Sequence, residues 1–325
     1  MKASDIRIVY MGTPEFATAP LRALADEGMN ITAVITAPDK PAGRGMKLRE
    51  SDVKLFADTH LNCPVLQPKN LKDPSFVEEL KSLNADLFIV VAFRMLPEVV
   101  WSIPKNGTFN LHASLLPQYR GAAPINHAII NGENETGVST FFIDKKIDTG
   151  QILYNTKVLI EPEDDAGLLH DKLKIAGAKL VVKTATSIMS GSAEPVAQES
   201  FNIPEDQLKK AAKIFKEDCR INWELESELI GNLIRGLSPF PTAFTELSLP
   251  GSENINCKVF KGSAKKEQHK LFPGTIISDN KTFIHVAVND GYYSIDTLQI
   301  AGKKRMSVED FLRGFQGDIE ACSFT

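Results

Sequence analysis

The chain has 325 residues, 43% of them hydrophobic and 24% charged, an ordinary globular composition at nearly twice the usual domain length, so two domains are favoured over one. A net charge of −4 gives no global basic field, which weakens a chromatin-type or architectural reading while leaving local basic patches free to bind RNA. Asp5 and Arg7 interrupt the start where a signal peptide needs an apolar core, and the apolar run Leu87 to Phe93 is far short of the roughly 20 residues that span a bilayer, so a cytoplasmic protein without membrane contact is expected.

Ile6 to Met11 reads as a strand, Phe16 to Glu27 as a helix with Phe16, Pro20, Leu21 and Leu24 on one face, and Ile31 to Thr36 as the next strand. Phe76 to Leu83 suits a helix. Ala85 to Ala92 (ADLFIVVA) is a continuous β-branched run, apolar after Asp86, of the kind buried on both faces of a parallel sheet, and Gly107 to Leu111 follows as a further short strand. This β-α-β-α order predicts a mostly parallel sheet covered by helices, with ligands outside the carboxyl ends of its strands. Ser139 to Ile143 and Ile152 to Ile160 add two strands, and a long helix runs from about Gly167 to Met189.

Residues 191–205 carry two prolines and no sustained period, which makes them the expected linker between a domain at 1–190 and a second at 206–325. Helices are predicted at Asp206 to Phe215 and Glu224 to Arg235. Strands follow at Ala243 to Leu249, Ile255 to Phe260, Gly274 to Ser278, Thr282 to Val288 and Tyr292 to Ile300, a spacing that suggests a small barrel.

Several signatures are missing. Gly12-Thr13-Pro14 follows the first strand without a GxGxxG or GxxxxGK[ST] pattern, HExxH is absent, and Gly137 to Phe141 lacks the last glycine of a nucleophile elbow. Cys63, Cys219, Cys257 and Cys322 form no CxxC pair, so reduced thiols are expected in place of disulfides or structural zinc.

The strand ending Asn110-Leu111-His112 carries more. Residues two apart on a strand share a face, so Asn110 and His112 project together near a carboxyl end, where an amide and an imidazolium can both donate to one developing oxyanion. The plainer alternative is a polar pair that satisfies backbone groups. Asp148, in Ile147-Asp148-Thr149-Gly150, reads either as an ordinary turn or as a carboxylate that supports a charged His112. Three basic runs stand out: Lys40 to Arg49, Lys258 to Lys270, and Lys303-Lys304-Arg305. Each taken alone is a solvated surface by default.

The stretch Asn110 to Gly121 followed by Ile147 to Gly150 resembles the folate-dependent formyltransferase family. So do Met11-Gly12-Thr13-Pro14-Glu15-Phe16-Ala17, Asp39 to Gly45, Ala122 to Ile125, Glu135 to Val138 and Ala301 to Lys304, and the resemblance covers essentially the whole chain. It implies a Rossmann-like α/β domain with helices on both faces of the sheet and a smaller, OB-like C-terminal β-barrel. It also implies transfer of the formyl group of 10-formyltetrahydrofolate to the methionine amine of initiator methionyl-tRNA, by a monomer that needs no metal. Carried over by position, Asn110, His112 and Asp148 are the expected catalytic residues. Ser114, Leu115, Leu116 and Pro117 are expected to line the folate site, with the backbone of Phe93, Arg94, Met95 and Leu96 near the pterin, although Phe93-Arg94 stands where the family commonly has a tyrosine-glycine pair. Lys40, Arg44, Lys47 and Arg49, with Lys261, Lys265, Lys266, Lys303 and Lys304, are the expected tRNA contacts. Other formyl-folate enzymes, acting on sugar nucleotides or hydrolysing the cofactor, remain alternatives, as does a tRNA-binding module with a vestigial catalytic half.

Overall fold

The computed structural model describes residues 6–42 and 47–325. They divide into two compact units, the first formed by residues up to 121 with 135–159 and 170–211, the second by 122–134, 160–169 and 212–325.

The first unit is built on seven strands: β1 (Ile8–Gly12), β2 (Ile31–Ile35), β3 (Val65–Leu66), β4 (Leu87–Val91), β5 (Thr108–His112), β6 (Glu135–Phe142) and β7 (Ile152–Leu159). Their order is β7-β6-β5-β4-β1-β2-β3. The five from β5 to β3 are parallel, and β6 and β7 are added antiparallel. Every residue of β1 and β4 is buried, as their unbroken apolar sequences require. On one face Val9, Met11, Phe88 and Val90 pack with Phe76, Val77 and Leu80 of the helix Pro74–Ser82, and burial of each such side chain contributes about 1.5–3 kcal/mol. The long helix Ala166–Ser190 passes close to β5, where a Cβ on Gly177 would stand 2.7 Å from Leu111.

The expected helix at Asp206 to Phe215 does not form. A 3-10 turn at Glu205–Gln207 is followed by a two-residue strand, Lys210–Ala211, which pairs in parallel with Arg120–Gly121. Backbone pairing with a distant segment overrides the local helical preference of this lysine- and alanine-rich stretch. The residues expected to form a linker are not a free connector either: Val196 bridges Ile152, and Gln198 is buried. A further helix, Asp52–His60, is capped by the Ser51 hydroxyl and ends at His60.

The second unit holds β8 (Ala243–Ser248), β9 (Ile255–Lys266), β10 (Ile276–Ser278), β11 (Ile284–Val288), β12 (Gly291–Ile300), β13 (Met306–Ser307) and β14 (Ser323–Phe324). The antiparallel order is β10-β11-β12-β9-β8-β14 with β13 beside β12, and a bridge from Thr275 to Ser323 brings the two ends together into a nearly closed barrel. Alternate residues point inward, so Ala243, Thr245 and Leu247 are buried along β8. Trp223, Ile230, Ile234, Val259, Val286, Tyr293 and Leu298 share this core, with Ile230 and Ile234 supplied by the amphipathic helix Ser227–Leu237.

Candidate functional site

β5 ends in the parallel region of the sheet, and its alternation places Asn110 and His112 on one side of the strand, as expected. His112 is buried. Its Nε2 donates to the Tyr119 carbonyl at 2.8 Å, and its Nδ1 stands 3.7 Å from Asp148 Oδ2. That carboxylate oxygen accepts the Gly121 backbone N–H at 3.0 Å. The Asn110 amide meets no hydrogen-bond partner among the described residues, so its N–H groups are free donors. One open amide, one imidazole and one carboxylate are thus gathered here, from β5 and from the turn between β6 and β7.

The loops around this group are held in unusual backbone states. Ala92 after β4, Tyr119 and Asp148 have φ of 46°, 59° and 55°, the left-handed region that side chains other than Gly, Asn and Asp seldom enter. Ala92 and Tyr119 persist there only because their surroundings over-determine them, and such residues concentrate at functional sites. Tyr119 is fixed by its N–H donating to the Lys209 carbonyl at 2.7 Å. Gly150 is required by space, since a Cβ there would lie 1.6 Å from the Phe142 carbonyl oxygen.

The loop after His112 supports itself from beneath. Ser114 Oγ donates to the Gln118 carbonyl at 2.6 Å, and Ser139 Oγ donates to the Ser114 carbonyl at 2.7 Å while accepting the Leu116 N–H at 3.0 Å. Leu115 leans on Gly137, and Leu116 packs with Phe141 and Ile152. The side chains of Ser114, Leu116 and Pro117 are therefore buried in loop packing, which leaves Leu115 as the half-exposed apolar member of the expected lining.

After β4, Met95 is 80% exposed, whereas Leu96 belongs to the core and Phe93 packs against it. The Arg94 guanidinium donates to the carbonyls of Pro68 and Lys69 at 2.8 and 3.1 Å and ties this loop to the segment after β3. What residues 93–96 can offer a ligand is mainly their backbone.

The basic run Lys40 to Arg49, read as a loop, is a hairpin with arms Lys40–Ala42 and Lys47–Arg49, in which Lys40 faces Arg49. Arg44 lies outside the described residues, and Lys47 enters through its backbone pairing with Ala42. Like charges directly opposite one another destabilise a hairpin. The neighbouring acids do not relieve them: Asp39 and Glu50 both contact the Lys54 ammonium, each at 2.7 Å. Among the described residues neither Lys40 nor Arg49 forms an ion pair, and Leu48 beside them is 68% exposed.

The lysines of the second unit are less uniform. Lys261 meets Glu163 at 3.6 Å and Lys265 meets Glu267 at 2.8 Å, while Lys266, Lys303 and Lys304 are exposed. All four cysteines are free.

Gln198, Tyr119 and Gly121 were not singled out as site residues in the sequence. Gln198 carried no signal, being a lone amide in an unpatterned segment. Its Nε2 donates to the carbonyls of Asp148 and Gly150 at 2.9 and 2.8 Å, and its Oε1 accepts from Arg120 Nε and Nη2 at 3.0 and 2.6 Å.

Residues 6–185 match the formyl transferase family model, and residues 213–316 match the model for the formyl transferase C-terminal domain. The chain is 52% identical over 316 residues to a methionyl-tRNA formyltransferase of Bacteroides thetaiotaomicron, covering 97% of this chain and 98% of that one. It is 49% identical to the methionyl-tRNA formyltransferase of Flavobacterium johnsoniae, with the same coverage. Among solved structures, an N-formyltransferase from Helicobacter canadensis, in complex with folinic acid and dTDP-3-aminofucose, is similar with a TM-score of 0.65 at 20% identity, over 93% of this chain and 100% of that one. At that identity the likeness is one of fold.

Proposed function

We propose, starting from the fact that the chain belongs to the formyl transferase family and within it to the methionyl-tRNA formyltransferases, that it moves the formyl group of 10-formyltetrahydrofolate to the methionine amine of initiator methionyl-tRNA. The observation that carries this reading is similarity at about half identity along 97% of the chain to relatives of that one activity. The grouping of Asn110, His112 and Asp148 supports it chemically.

The neutral amine attacks the formyl carbon, a C–N bond forms, and negative charge gathers on the formyl oxygen. The free Asn110 amide donates to that oxygen, and a well-placed donor of this kind contributes roughly 3 kcal/mol to the transition state. His112 in its charged form adds the positive field. To donate directly its ring must release either the Tyr119 carbonyl or the face toward Asp148, and the carbonyl is the neutral partner of the two. Asp148 holds the imidazolium and takes a proton from the attacking nitrogen through water. The intermediate then collapses with cleavage of the bond to the folate nitrogen, which leaves as the amine after accepting a proton from His112 or that water.

The hairpin favours tRNA over a sugar nucleotide as acceptor. Lys40 and Arg49 carry charge that no described acid neutralises, and phosphates are suited to fill that role. We place Arg44 and Lys47 of the same run, and the exposed Lys266, Lys303 and Lys304, on the same partner.

Incubation with 10-formyltetrahydrofolate and methionyl initiator tRNA, with free formate followed in a parallel reaction without tRNA, tests the assignment. Formylated tRNA with little formate is the expected result. Formate released equally without tRNA would replace the transferase by a hydrolase, and neither product would leave only a binding module.

A further inference from the structure

Gln198 lies between the segments that match the two family models, in a 3-10 turn spanning Gln198–Phe201, and is 3% exposed. A primary amide offers two donor hydrogens and two acceptor lone pairs. Here the two donors reach the carbonyls of Asp148 and Gly150, and the two lone pairs receive the Nε and Nη2 groups of Arg120. The amide is itself anchored, because Val196 exchanges two backbone hydrogen bonds with Ile152 at 2.8 Å, at the start of β7.

One buried group therefore joins the two loops that meet at His112. On one side is the turn that carries Asp148 in its left-handed conformation. On the other is Arg120, next to Gly121, whose N–H holds the Asp148 carboxylate. Backbone and carboxylate of Asp148 are thus fixed from opposite ends, the first directly by Gln198 and the second through the Arg120–Gly121 segment.

We propose that Gln198 is a positioning residue for formyl transfer, setting the separation of Asp148 and His112 without touching either reacting group. The inference rests on the functional reading above. Displacement of a catalytic group by about 1 Å lowers turnover by up to about 100-fold, so an amide that fixes the Asp148 backbone acts on kcat more than on substrate binding.

The test compares wild type, Gln198→Ala, Gln198→Glu, Asp148→Ala and the Gln198→Ala/Asp148→Ala double variant in the tRNA formylation assay. Gln198→Glu keeps acceptors for Arg120 and removes both donors to the Asp148 turn, so it reports on positioning even if Gln198→Ala fails to fold. Both Gln198 variants are expected to lower kcat about 10- to 100-fold, with KM for each substrate within about twofold of wild type. In the Asp148→Ala background the Gln198→Ala change is expected to cost almost nothing further, because a positioning residue has lost the group it positions. Full additivity in the double variant, or wild-type kcat in Gln198→Glu, overturns the proposal. An inactive wild-type chain overturns the functional reading instead, and with it the premise of this inference.

Discussion

Gly121 donates its backbone N–H to Asp148 Oδ2 at 3.0 Å, the same oxygen that faces His112 Nδ1 at 3.7 Å. The contact depends on the absence of a side chain at residue 121. Its φ is 128°, and a Cβ there would lie 2.3 Å from the Ala211 carbonyl oxygen, on the strand that pairs with Arg120–Gly121.

Gly121→Ala is accordingly expected to strain the backbone by about 1–3 kcal/mol and to push the Lys210–Ala211 pairing aside. Formylation slows by more than about 10-fold as Asp148 loses its fixed partner, and calorimetry shows a fall in Tm of several degrees. An unchanged Tm and an unchanged rate in the same preparation would show that the loop has room the geometry denies.

Asn110, His112 and Asp148 differ in what their removal leaves behind. Asn110→Ala strands no described partner, so its single-turnover rate is expected to drop by about 100- to 1000-fold with Tm unaltered. His112→Ala leaves the Tyr119 carbonyl without its donor, and Asp148→Ala leaves the Gly121 N–H without its acceptor. Each is expected to cost about 1–3 kcal/mol of stability besides the rate. Rates near wild type in any of the three would remove that residue from the mechanism.

The parts of this arrangement that were legible in the sequence share one property, a local pattern. β1 and β4 announced themselves as unbroken apolar runs because both their faces are covered, and Asn110 and His112 share a side because strand alternation is fixed. What escaped notice is set by partners far along the chain. The Lys209 carbonyl that holds Tyr119 belongs to a stretch whose composition favours a helix, yet its neighbours Lys210 and Ala211 pair with Arg120 and Gly121. Gln198 is significant only because the fold brings the Asp148 turn and Arg120 to it. Arg94 looked like a change in a ligand-binding loop and instead ties that loop to Pro68 and Lys69.

The facing pair Lys40 and Arg49 yields a salt-dependent prediction. Charge reversal at either residue is expected to raise KM for tRNA several-fold, to leave KM for the folate unchanged, and to flatten the dependence of log affinity on log salt by about one per lost phosphate contact. Lys54→Met is expected to act in the same direction from outside the hairpin, because it frees Asp39 and Glu50 beside the basic pair. Filter binding across a salt series measures both. Slopes identical to wild type would show that the hairpin charge is merely solvated.

Burial also predicts which thiol reacts. Cys257 is fully enclosed in the barrel core and its thiol is pushed up to about 12 by desolvation, while Cys219 and Cys322 are likewise buried and raised. Cys63 is the half-exposed one of the four, and partial burial together with the Asp58 carboxylate raises its thiol as well, so exposure is what sets it apart. Alkylation of the native protein near neutral pH is expected to label Cys63 first, and the other three at the rate of unfolding, because the reagent reaches only an accessible sulfur. Peptide mapping after brief treatment with iodoacetamide checks the order, and early labelling of Cys257 would contradict the closed barrel core.

Asp290, just before β12, receives the Ser227 backbone N–H at 2.7 Å and the Ser227 hydroxyl at 3.1 Å, at the first residue of the helix Ser227–Leu237. Burial pulls its carboxyl upward, but the two hydrogen bonds from Ser227, with its own backbone N–H and the Lys266 charge, together outweigh that effect and hold it below its ordinary value. A carboxylate at this end also complements the positive end of the helix dipole. Because the folded-state value is depressed, the stabilisation is fully present above the unfolded aspartate value of about 4 and is lost as pH falls through the lower folded value. Asp290→Asn is therefore expected to destabilise the second unit by about 1 kcal/mol at neutral pH, the scale of a lost helix cap, with the difference from wild type closing as the pH drops below about 4. Denaturation series at several pH values measure this gap. A gap that stayed constant down to acid pH would assign the effect to shape, not to charge.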